Sequence, residues 1–282
     1  MASGKKRILV VGGGKMGEAI VAGWLAAVDE PAAALGGSDI EIVEPSADRR
    51  AQLEEAHGVV CVADVADVRT TPDVVVLAVK PQVMSGVLDG VSSCDSLAGG
   101  QDGPLFISIA AGIPTTTLEA GLLNGASVVR VMPNMPLAIG AGASGVCGGS
   151  NASPDQVDYV CRMFGCLGRA VIVDEADMDV VCALSGSGPA YVAAMIEALR
   201  DAAAAQGLDE SLAEALALQT VLGTAKLIDE TGASPAETRE SICSPGGTTL
   251  AALDALYEAG FADMFDKAVA AAVRRSKELA AC

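Results

Sequence analysis

The sequence predicts an α/β protein: an N-terminal doubly wound parallel sheet followed by an all-helical C-terminal domain. Three observations support this fold class. Short runs of Val, Ile and Leu alternate with helical patterns over residues 1–173, which is typical of strands buried on both faces. The first run ends in a glycine turn. After residue 174 the patterns are almost entirely helical, which predicts domains at 1–173 and 174–282.

The first predicted strand, residues 8–11, leads into the glycine turn and then into a helix from residue 18 to about 27. Gly12, Gly14 and Gly17 match the spacing G-x-G-x-x-G. In that motif they make the turn, admit a pyrophosphate and let helix and strand pack. A purely structural turn is the alternative. The context favours a Rossmann-like dinucleotide site with contacts from Gly12, Gly14, Lys15, Met16 and Gly17.

The second predicted strand, residues 40–43, ends where a Rossmann-like sheet recognises the adenosine ribose. Glu44 at its tip could accept hydrogen bonds from a ribose diol and would repel a 2′-phosphate. Ser46 and Arg49 could instead bind that phosphate. Both NADH and NADPH therefore stay open, and the acidic residue at the strand tip favours NADH.

Three further strands are predicted at residues 74–79, 105–109 and 128–131. The first two end in Ala78-Val79-Lys80-Pro81 and in Ala110-Ala111, and their ends should line the coenzyme crevice. Lys80 is either a solvated strand cap or a contact to coenzyme or substrate. Asn134 follows the third strand between two prolines, which predicts a loop. Residues 138–149 are glycine-rich without a predicted strand, and a last strand is expected at 170–173.

The C-terminal half predicts helices at residues 190–206, 211–230, 235–242, 249–258 and 262–280. Pro189 begins the first, and Gly232 ends the second. Apolar residues lie around nearly every helix face, and about a hundred residues cannot cover that surface alone. An intertwined homodimer is the smallest expected assembly.

One segment, Ser244-Pro245-Gly246-Gly247-Thr248-Thr249, precedes an Ala/Leu-rich helix. Glycines allow close approach to a ligand, and the free N–H groups of a helix start attract anions. This segment, the glycine-threonine box, therefore predicts a carboxylate site formed by Gly246, Gly247 and Thr248. A loop with a threonine-capped helix is the alternative.

Composition limits the possible partners and location. The net charge of -18 disfavours nucleic acid and anionic membranes as partners. Eight cysteines without C-x-x-C spacing predict buried thiols in a reducing compartment, and no structural metal site is expected. Neither a signal segment nor an apolar run of membrane-spanning length is recognised, so a cytoplasmic protein is expected.

The combined motifs resemble pyrroline-5-carboxylate reductase along nearly the whole chain. They are Gly12 to Gly17, Val79-Lys80-Pro81, Arg130 with Met132-Pro133-Asn134, Ser185 to Tyr191 and the glycine-threonine box. The resemblance implies NAD(P)H-dependent reduction of L-1-pyrroline-5-carboxylate to L-proline, the last step of proline biosynthesis. It also implies dimers, commonly joined as a pentamer of dimers, a homodecamer.

The resemblance further implies roles for individual residues. Thr249 would hydrogen-bond the substrate ring nitrogen, directly or through a water, and Lys80 is the second candidate catalytic residue. Asn134 and Lys80 would support the nicotinamide side of the cleft, with Asn134 also near the substrate. His57, the single histidine, is expected at the surface and outside the chemistry.

Two other functions remain open from the sequence. A β-hydroxyacid or 6-phosphogluconate-like dehydrogenase shares the glycine turn and the helical second domain. That class uses a catalytic lysine on a helix, for which Lys226 is the candidate, but it leaves the glycine-threonine box without a role. A nucleotide-sensing scaffold that keeps the fold without turnover is the alternative outside enzymes.

Overall fold

The computed structural model describes residues 6–27, 40–94, 97, 100 and 103–280. Cys282 and Lys5, the basic residue before Lys6, therefore lie outside the described part. The chain divides into two compact units, 1–187 with 272–282 and 188–271. Residues 174–187 belong to the first unit. The functional boundary at 173/174 stays a prediction.

Eight strands of the described residues form one sheet in the order β3-β2-β1-β4-β5-β6-β7-β8. All neighbouring pairs are parallel except β6 with β7, which is antiparallel. The fold class predicted from the sequence is confirmed. The strands are β1 Ile8–Val11, β2 Ile40–Val43, β3 Val60–Val62, β4 Val74–Leu77, β5 Leu105–Ser108, β6 Val128–Met132, β7 Gly142–Gly148 and β8 Gly168–Ile172.

The central strands are buried on both faces, and their alternate side chains feed two hydrophobic layers. Ile8 and Val10 of β1 face one layer, whereas Leu9 and Val11 face the other. Trp24 lies in the first layer, fully buried, with its indole N–H donating to the Met163 carbonyl at 2.8 Å. Two-sided burial explains why these strands are continuous apolar runs.

Helices follow most strands, and the second unit is formed by helices alone. They are α1 Lys15–Ala26, α2 Ala47–His57, α3 Met84–Ser92, α4 Thr115–Gly121, α5 Pro154–Gly165, α6 Met178–Val181, α7 Gly188–Ala205, α8 Glu210–Thr231, α9 Pro235–Ile242, α10 Thr248–Glu258 and α11 Phe261–Ala280. Gly232 ends α8 with φ 67°, as its position predicted. The C-terminal helix predictions match within two residues at each end.

Two strands were not predicted. β3 has three residues at the sheet edge, and Val60 is largely exposed, so it lacks the buried apolar run of the central strands. β7 lies within the glycine-rich segment 138–149, for which no strand was predicted. A Cβ on Gly145 would lie 2.7 Å from the Val181 side chain. Close packing therefore requires a glycine where a strand normally has a β-branched residue.

The second unit exposes large apolar side chains in the single chain. On α8, Leu216, Leu218 and Leu222 are each more than half exposed. In addition, the helical stretch 175–205 has the length and hydropathy of a membrane span, with 6% of its most apolar window buried. The expectation that no segment reaches that length was wrong, because residues 175–205 include α6, a π-helical turn at Cys182–Gly186 and α7.

Candidate functional site

The carboxyl ends of four adjacent strands lie at one edge of the sheet. After β1, the Gly12 N–H donates to the Val43 carbonyl at 2.9 Å. After β4, the Ala78 N–H donates to the Val11 carbonyl at 2.8 Å. After β5, the Ile109 N–H donates to the Leu77 carbonyl. This edge, where each chain segment leaves the sheet, is the position of ligand crevices in doubly wound folds.

The three glycines of the first turn occupy different environments. Gly12 has φ +112°, and an added Cβ would lie 2.5 Å from the Ala78 carbonyl oxygen. An added Cβ on Gly17 would lie 2.2 Å from the Gly12 carbonyl oxygen. At Gly14, by contrast, a Cβ would meet nothing within 4 Å. The first and third glycines are therefore required by the protein's own packing, and the second faces open space.

The open space at Gly14 adjoins the start of α1. Gly14 is the N-cap, with φ -69° and ψ 179°, and it has no capping side chain. The Glu18 N–H is the first to bond within the helix, to the Gly14 carbonyl at 2.9 Å. The N–H groups of Lys15, Met16 and Gly17 are thus available. A glycine cradle with free N–H groups at a helix start fits a pyrophosphate.

Glu44 lies at the tip of β2, as predicted, and its carboxylate is held by two backbone groups. Gly13 N–H donates to Oε2 at 3.2 Å, and Ser46 N–H donates to Oε1 at 2.9 Å. A carboxylate can accept further hydrogen bonds. Ser46 is also the N-cap of α2, its hydroxyl accepting from the Arg49 N–H at 3.4 Å.

Arg49 is engaged with its neighbours through all three guanidinium nitrogens. Nε donates to the Gly13 carbonyl at 2.9 Å, and Nη2 lies 2.6 Å from Glu18 Oε2. Nη1 contacts Gln52 Oε1 at 3.3 Å. His57, which was expected at the surface, is half-buried: its side chain is 17% exposed, and Nε2 lies 3.2 Å from Glu18 Oε1.

Glu18 is the acidic member of this cluster and was not singled out from the sequence. The hydrogen bond from Arg49 lowers the pKa of its carboxyl; burial acts in the opposite direction, and the contact with His57 lowers the pKa further. Glu18 is therefore a carboxylate at neutral pH. Its only local sign in the sequence is an acidic residue in the first turn of α1, which commonly just stabilises a helix start.

The other predicted coenzyme contacts follow β4 and β5. Ala78 and Val79 pass beside Gly12, and Lys80 with Pro81 begins a short 3-10 turn ending at Val83. Lys80 is exposed and forms no ion pair with a described residue. After β5, Ala110 is buried and Ala111 is half-buried. The structure thus brings the predicted coenzyme residues to the same sheet edge, and their contacts with coenzyme stay predictions.

The Asn134 side chain is buried, and both ends of its amide are hydrogen-bonded within the protein. It is 7% exposed, its Nδ2 donates to the Ser185 carbonyl at 3.0 Å, and its Oδ1 accepts from the Ala143 N–H at 2.8 Å. The amide joins the start of β7 to the π-helical turn. Its predicted contact with substrate stays untested, whereas its structural role is evident from the two bonds.

An ion pair between a buried arginine and a partly exposed glutamate lies near the first residue of the predicted helical domain. Arg130 on β6 is 3% exposed and hydrogen-bonds through Nη1 to Glu175. The Cys147 thiol donates to the same carboxylate at 3.2 Å. Burial raises the pKa of Cys147 to about 12, and Glu175 raises it as well.

Of the seven described cysteines, Cys147 alone is buried and the others are half-buried, so the prediction of buried thiols holds for one residue.

The glycine-threonine box begins α10 in the second unit. Gly246 has φ +68°, and the Gly247 N–H closes the turn onto the Ser244 carbonyl at 2.9 Å. Gly247, with no side-chain bond, is the N-cap, so the alternative of a threonine-capped helix was wrong. Thr248 and Thr249 occupy the first two helical positions. Their N–H groups and that of Leu250 precede the first intrahelical bond and are free to bind an anion.

Known proteins are similar to this chain over the regions of both sites. Residues 175–279 match the family model described as pyrroline-5-carboxylate reductase dimerisation. Residues 7–112 match the model of NADP oxidoreductases, coenzyme F420-dependent. The pyrroline-5-carboxylate reductase of a Synechocystis species is 42% identical over 96% of this chain and 97% of its own length.

Solved structures agree. A pyrroline-5-carboxylate reductase from Coxiella burnetii has a TM-score of 0.88 and 35% identity, covering 98% of this chain and 99% of its own. The Plasmodium falciparum pyrroline carboxylate reductase with NADP bound has a TM-score of 0.83 and 29% identity, covering 98% of each chain. This chain therefore belongs to the pyrroline-5-carboxylate reductase family.

Proposed function

We propose that the protein reduces the C=N bond of L-1-pyrroline-5-carboxylate to L-proline with a dihydronicotinamide dinucleotide, the last step of proline biosynthesis. The observation that most supports this proposal is that this member of the family has two helix starts that are suited to binding anions. The glycine turn at Gly14 fits a pyrophosphate, and the start of α10 fits a carboxylate.

The glycine-threonine box is proposed to bind the substrate carboxylate. The turn presents the N–H groups of Gly247, Thr248 and Thr249 near one another at the positive end of the α10 dipole. The Gly247 N–H already bonds to Ser244, which leaves the two threonine N–H groups as the principal donors, with Gly246 shaping the turn. The sequence predicted the N–H groups of Gly246, Gly247 and Thr248 as donors. The proposal keeps Thr248, adds the N–H group of Thr249 and gives Gly246 and Gly247 the role of forming the turn.

Thr249 is proposed as the residue that contacts the ring nitrogen. Its side chain is half-buried and its hydroxyl has no hydrogen-bond partner among the described residues. The coenzyme supplies the hydride to the imine carbon, and the nitrogen must carry a proton for the carbon to accept it. A hydroxyl held at the nitrogen, directly or through a water, stabilises the protonated imine and the amine that forms. Lys80 keeps its predicted catalytic role and Asn134 its predicted substrate contact as proposals.

NADH is the proposed coenzyme, on the basis of Glu44. Its carboxylate is fixed at the β2 tip by Gly13 and Ser46 and can accept the ribose hydroxyls with its remaining lone pairs. A 2′-phosphate at that position would face a fixed negative charge. Ser46 and Arg49, which could favour NADPH, are already engaged as a helix cap and as the partner of Glu18.

A single assay tests substrate and coenzyme. Purified protein is mixed with pyrroline-5-carboxylate and either NADH or NADPH, and coenzyme oxidation is followed. We expect enzymatic turnover with both coenzymes and a higher kcat/KM with NADH. A wide advantage for NADPH would refute the role of Glu44. Activity on β-hydroxyacids with no activity on the imine would favour a dehydrogenase, and no turnover on any substrate would favour a scaffold.

The environment of Lys226, the candidate catalytic lysine, argues against the dehydrogenase alternative. Lys226 lies on α8, its side chain is 68% exposed, and it pairs with Glu230 one turn away at 3.5 Å. This is a solvated helix pair rather than a lysine held for proton transfer. The helix α11 carries further lysines, Lys267 and Lys277, which are also exposed.

We propose that a second copy of the chain covers the exposed apolar helices, as the dimerisation family match supports. The net charge of -18 argues against an anionic membrane or nucleic acid as the partner. Sedimentation velocity without detergent should give a dimer or a pentamer of dimers and no monomer. A monomer that sediments only with detergent would instead point to membrane insertion of the stretch 175–205.

A further inference from the structure

Glu18 forms an ion pair with Arg49, which also contacts the glycine turn at Gly13 and the Ser46 cap beside the proposed ribose site. The Glu18 and Arg49 side chains are 32% and 27% exposed, and their charged atoms are 2.6 Å apart. Opposite charges in contact and partly shielded from water largely cancel each other's field. Arg49 therefore presents much less positive potential to a ligand than a free arginine at the start of α2 would present.

The same contacts also fix the direction of the Arg49 side chain. Nε is bound to the Gly13 carbonyl, and Nη2 is bound to Glu18 on α1. Glu18 is itself held from a second side by His57 at the end of α2. The guanidinium is consequently oriented towards the glycine turn and α1. Recognition of a phosphate requires a planar fork of N–H donors aimed at its oxygens.

We propose that Glu18 is a coenzyme-specificity residue, which acts as a positioning residue by keeping Arg49 neutralised and turned away from a 2′-phosphate. This inference rests on the proposed function, since it concerns the proposed coenzyme site. Glu44 excludes the phosphate by direct repulsion, whereas Glu18 acts indirectly, by pairing with Arg49. The two effects reinforce each other, and NADH is favoured.

Binding of half-ligands tests the inference separately from turnover. The probes are 2′,5′-ADP and 5′-AMP, which differ only in the 2′-phosphate, titrated by calorimetry against the full-length protein. In Glu18→Gln, the ratio of the Kd for 2′,5′-ADP to the Kd for 5′-AMP should fall about fivefold, the size expected when one charge-assisted contact replaces an exposed ion pair. A ratio unchanged within error, or a higher ratio, would overturn the proposal.

Two further variants identify the group responsible. Glu18→Gln combined with Arg49→Gln should lose the gain, because the freed guanidinium is absent; a retained gain would show that Arg49 is not the phosphate partner and would overturn the proposal. Glu55→Gln is the matched control, because it removes the same charge from α2. The Glu55 side chain is exposed and forms no ion pair with a described residue. This variant should leave the ratio unchanged, and a similar fall there would mean that net charge alone is responsible.

Kinetics separates positioning from structural damage. In Glu18→Gln, the KM for NADPH should fall while the kcat with NADPH stays close to its original value, and Glu18→Asp should lie between the wild type and Glu18→Gln. Damage to the turn would instead raise the KM for both coenzymes and weaken both half-ligands, which would refute the inference. Because the half-ligand ratio needs no imine substrate, it stays informative even if the protein proves not to reduce pyrroline-5-carboxylate.

Discussion

Replacing Thr249 with alanine should lower kcat about 10²- to 10³-fold, the size of loss expected when one aligned hydrogen-bonding group is removed from a reacting centre. The unfolding temperature should change little. This separation is expected because Gly247, not a threonine, caps α10, and because the Thr249 hydroxyl bonds to no described residue. A side chain without a stabilising contact can be shortened at a stability change within about 0.5 kcal/mol.

The chain offers two matched controls for this experiment. Thr248→Ala makes the same chemical change one residue earlier, at an exposed position, and keeps the backbone N–H proposed to bind the carboxylate. Its loss of kcat should be much smaller. Thr249→Ser keeps the hydroxyl and should retain most of the turnover.

The proposal for Thr249 fails under two results. If the alanine and serine variants lose kcat equally, the hydroxyl is not the important group. If Thr249→Ala loses thermal stability in proportion to its activity, the side chain supports the helix and has no separate chemical role. Thermal stability is measured by circular dichroism melting, and kcat is measured from steady-state rates at saturating coenzyme.

Local sequence signals predicted the elements that form the two proposed sites. The glycine turn follows a fully buried strand, and the turn before α10 contains a glycine that adopts φ +68°. Both signals depend on residues within about ten positions of one another, so a single sequence displays them completely. The central strands could also be predicted from the sequence, because a strand that is buried on both faces forms a continuous apolar run.

Elements that depend on distant neighbours could not be predicted in the same way. Strand β7 has a glycine at position 145 because the Val181 side chain occupies the space that a Cβ would need, and only the folded structure brings the two residues together. The contact of Arg49 with Glu18 joins residues 31 positions apart, and the contact of Asn134 with Ser185 joins residues 51 positions apart. A sequence shows that these side chains could bind a ligand, but it does not show that the protein already uses them.

The second large effect is expected at Gly14. Replacing it with alanine should leave the fold intact, since the backbone angles are allowed for any residue and a Cβ there meets nothing within 4 Å. Loss of glycine at an N-cap costs at most about 1 kcal/mol. Coenzyme affinity should nevertheless fall about 10- to 100-fold, because the added methyl group separates the pyrophosphate from one or two N–H donors of α1.

Gly12→Ala and Gly17→Ala make the same one-carbon addition with a different expected outcome. Their new Cβ atoms would lie 2.5 and 2.2 Å from backbone carbonyl oxygens, so both variants should lose stability as well as coenzyme binding. Titration with NADH, measured beside urea unfolding, distinguishes the two classes. A Gly14→Ala protein that binds NADH as tightly as the wild type would show that the pyrophosphate lies elsewhere. Stable folding with lost affinity would locate it at the open face of this turn, since only a ligand could meet a methyl group that the protein itself does not touch.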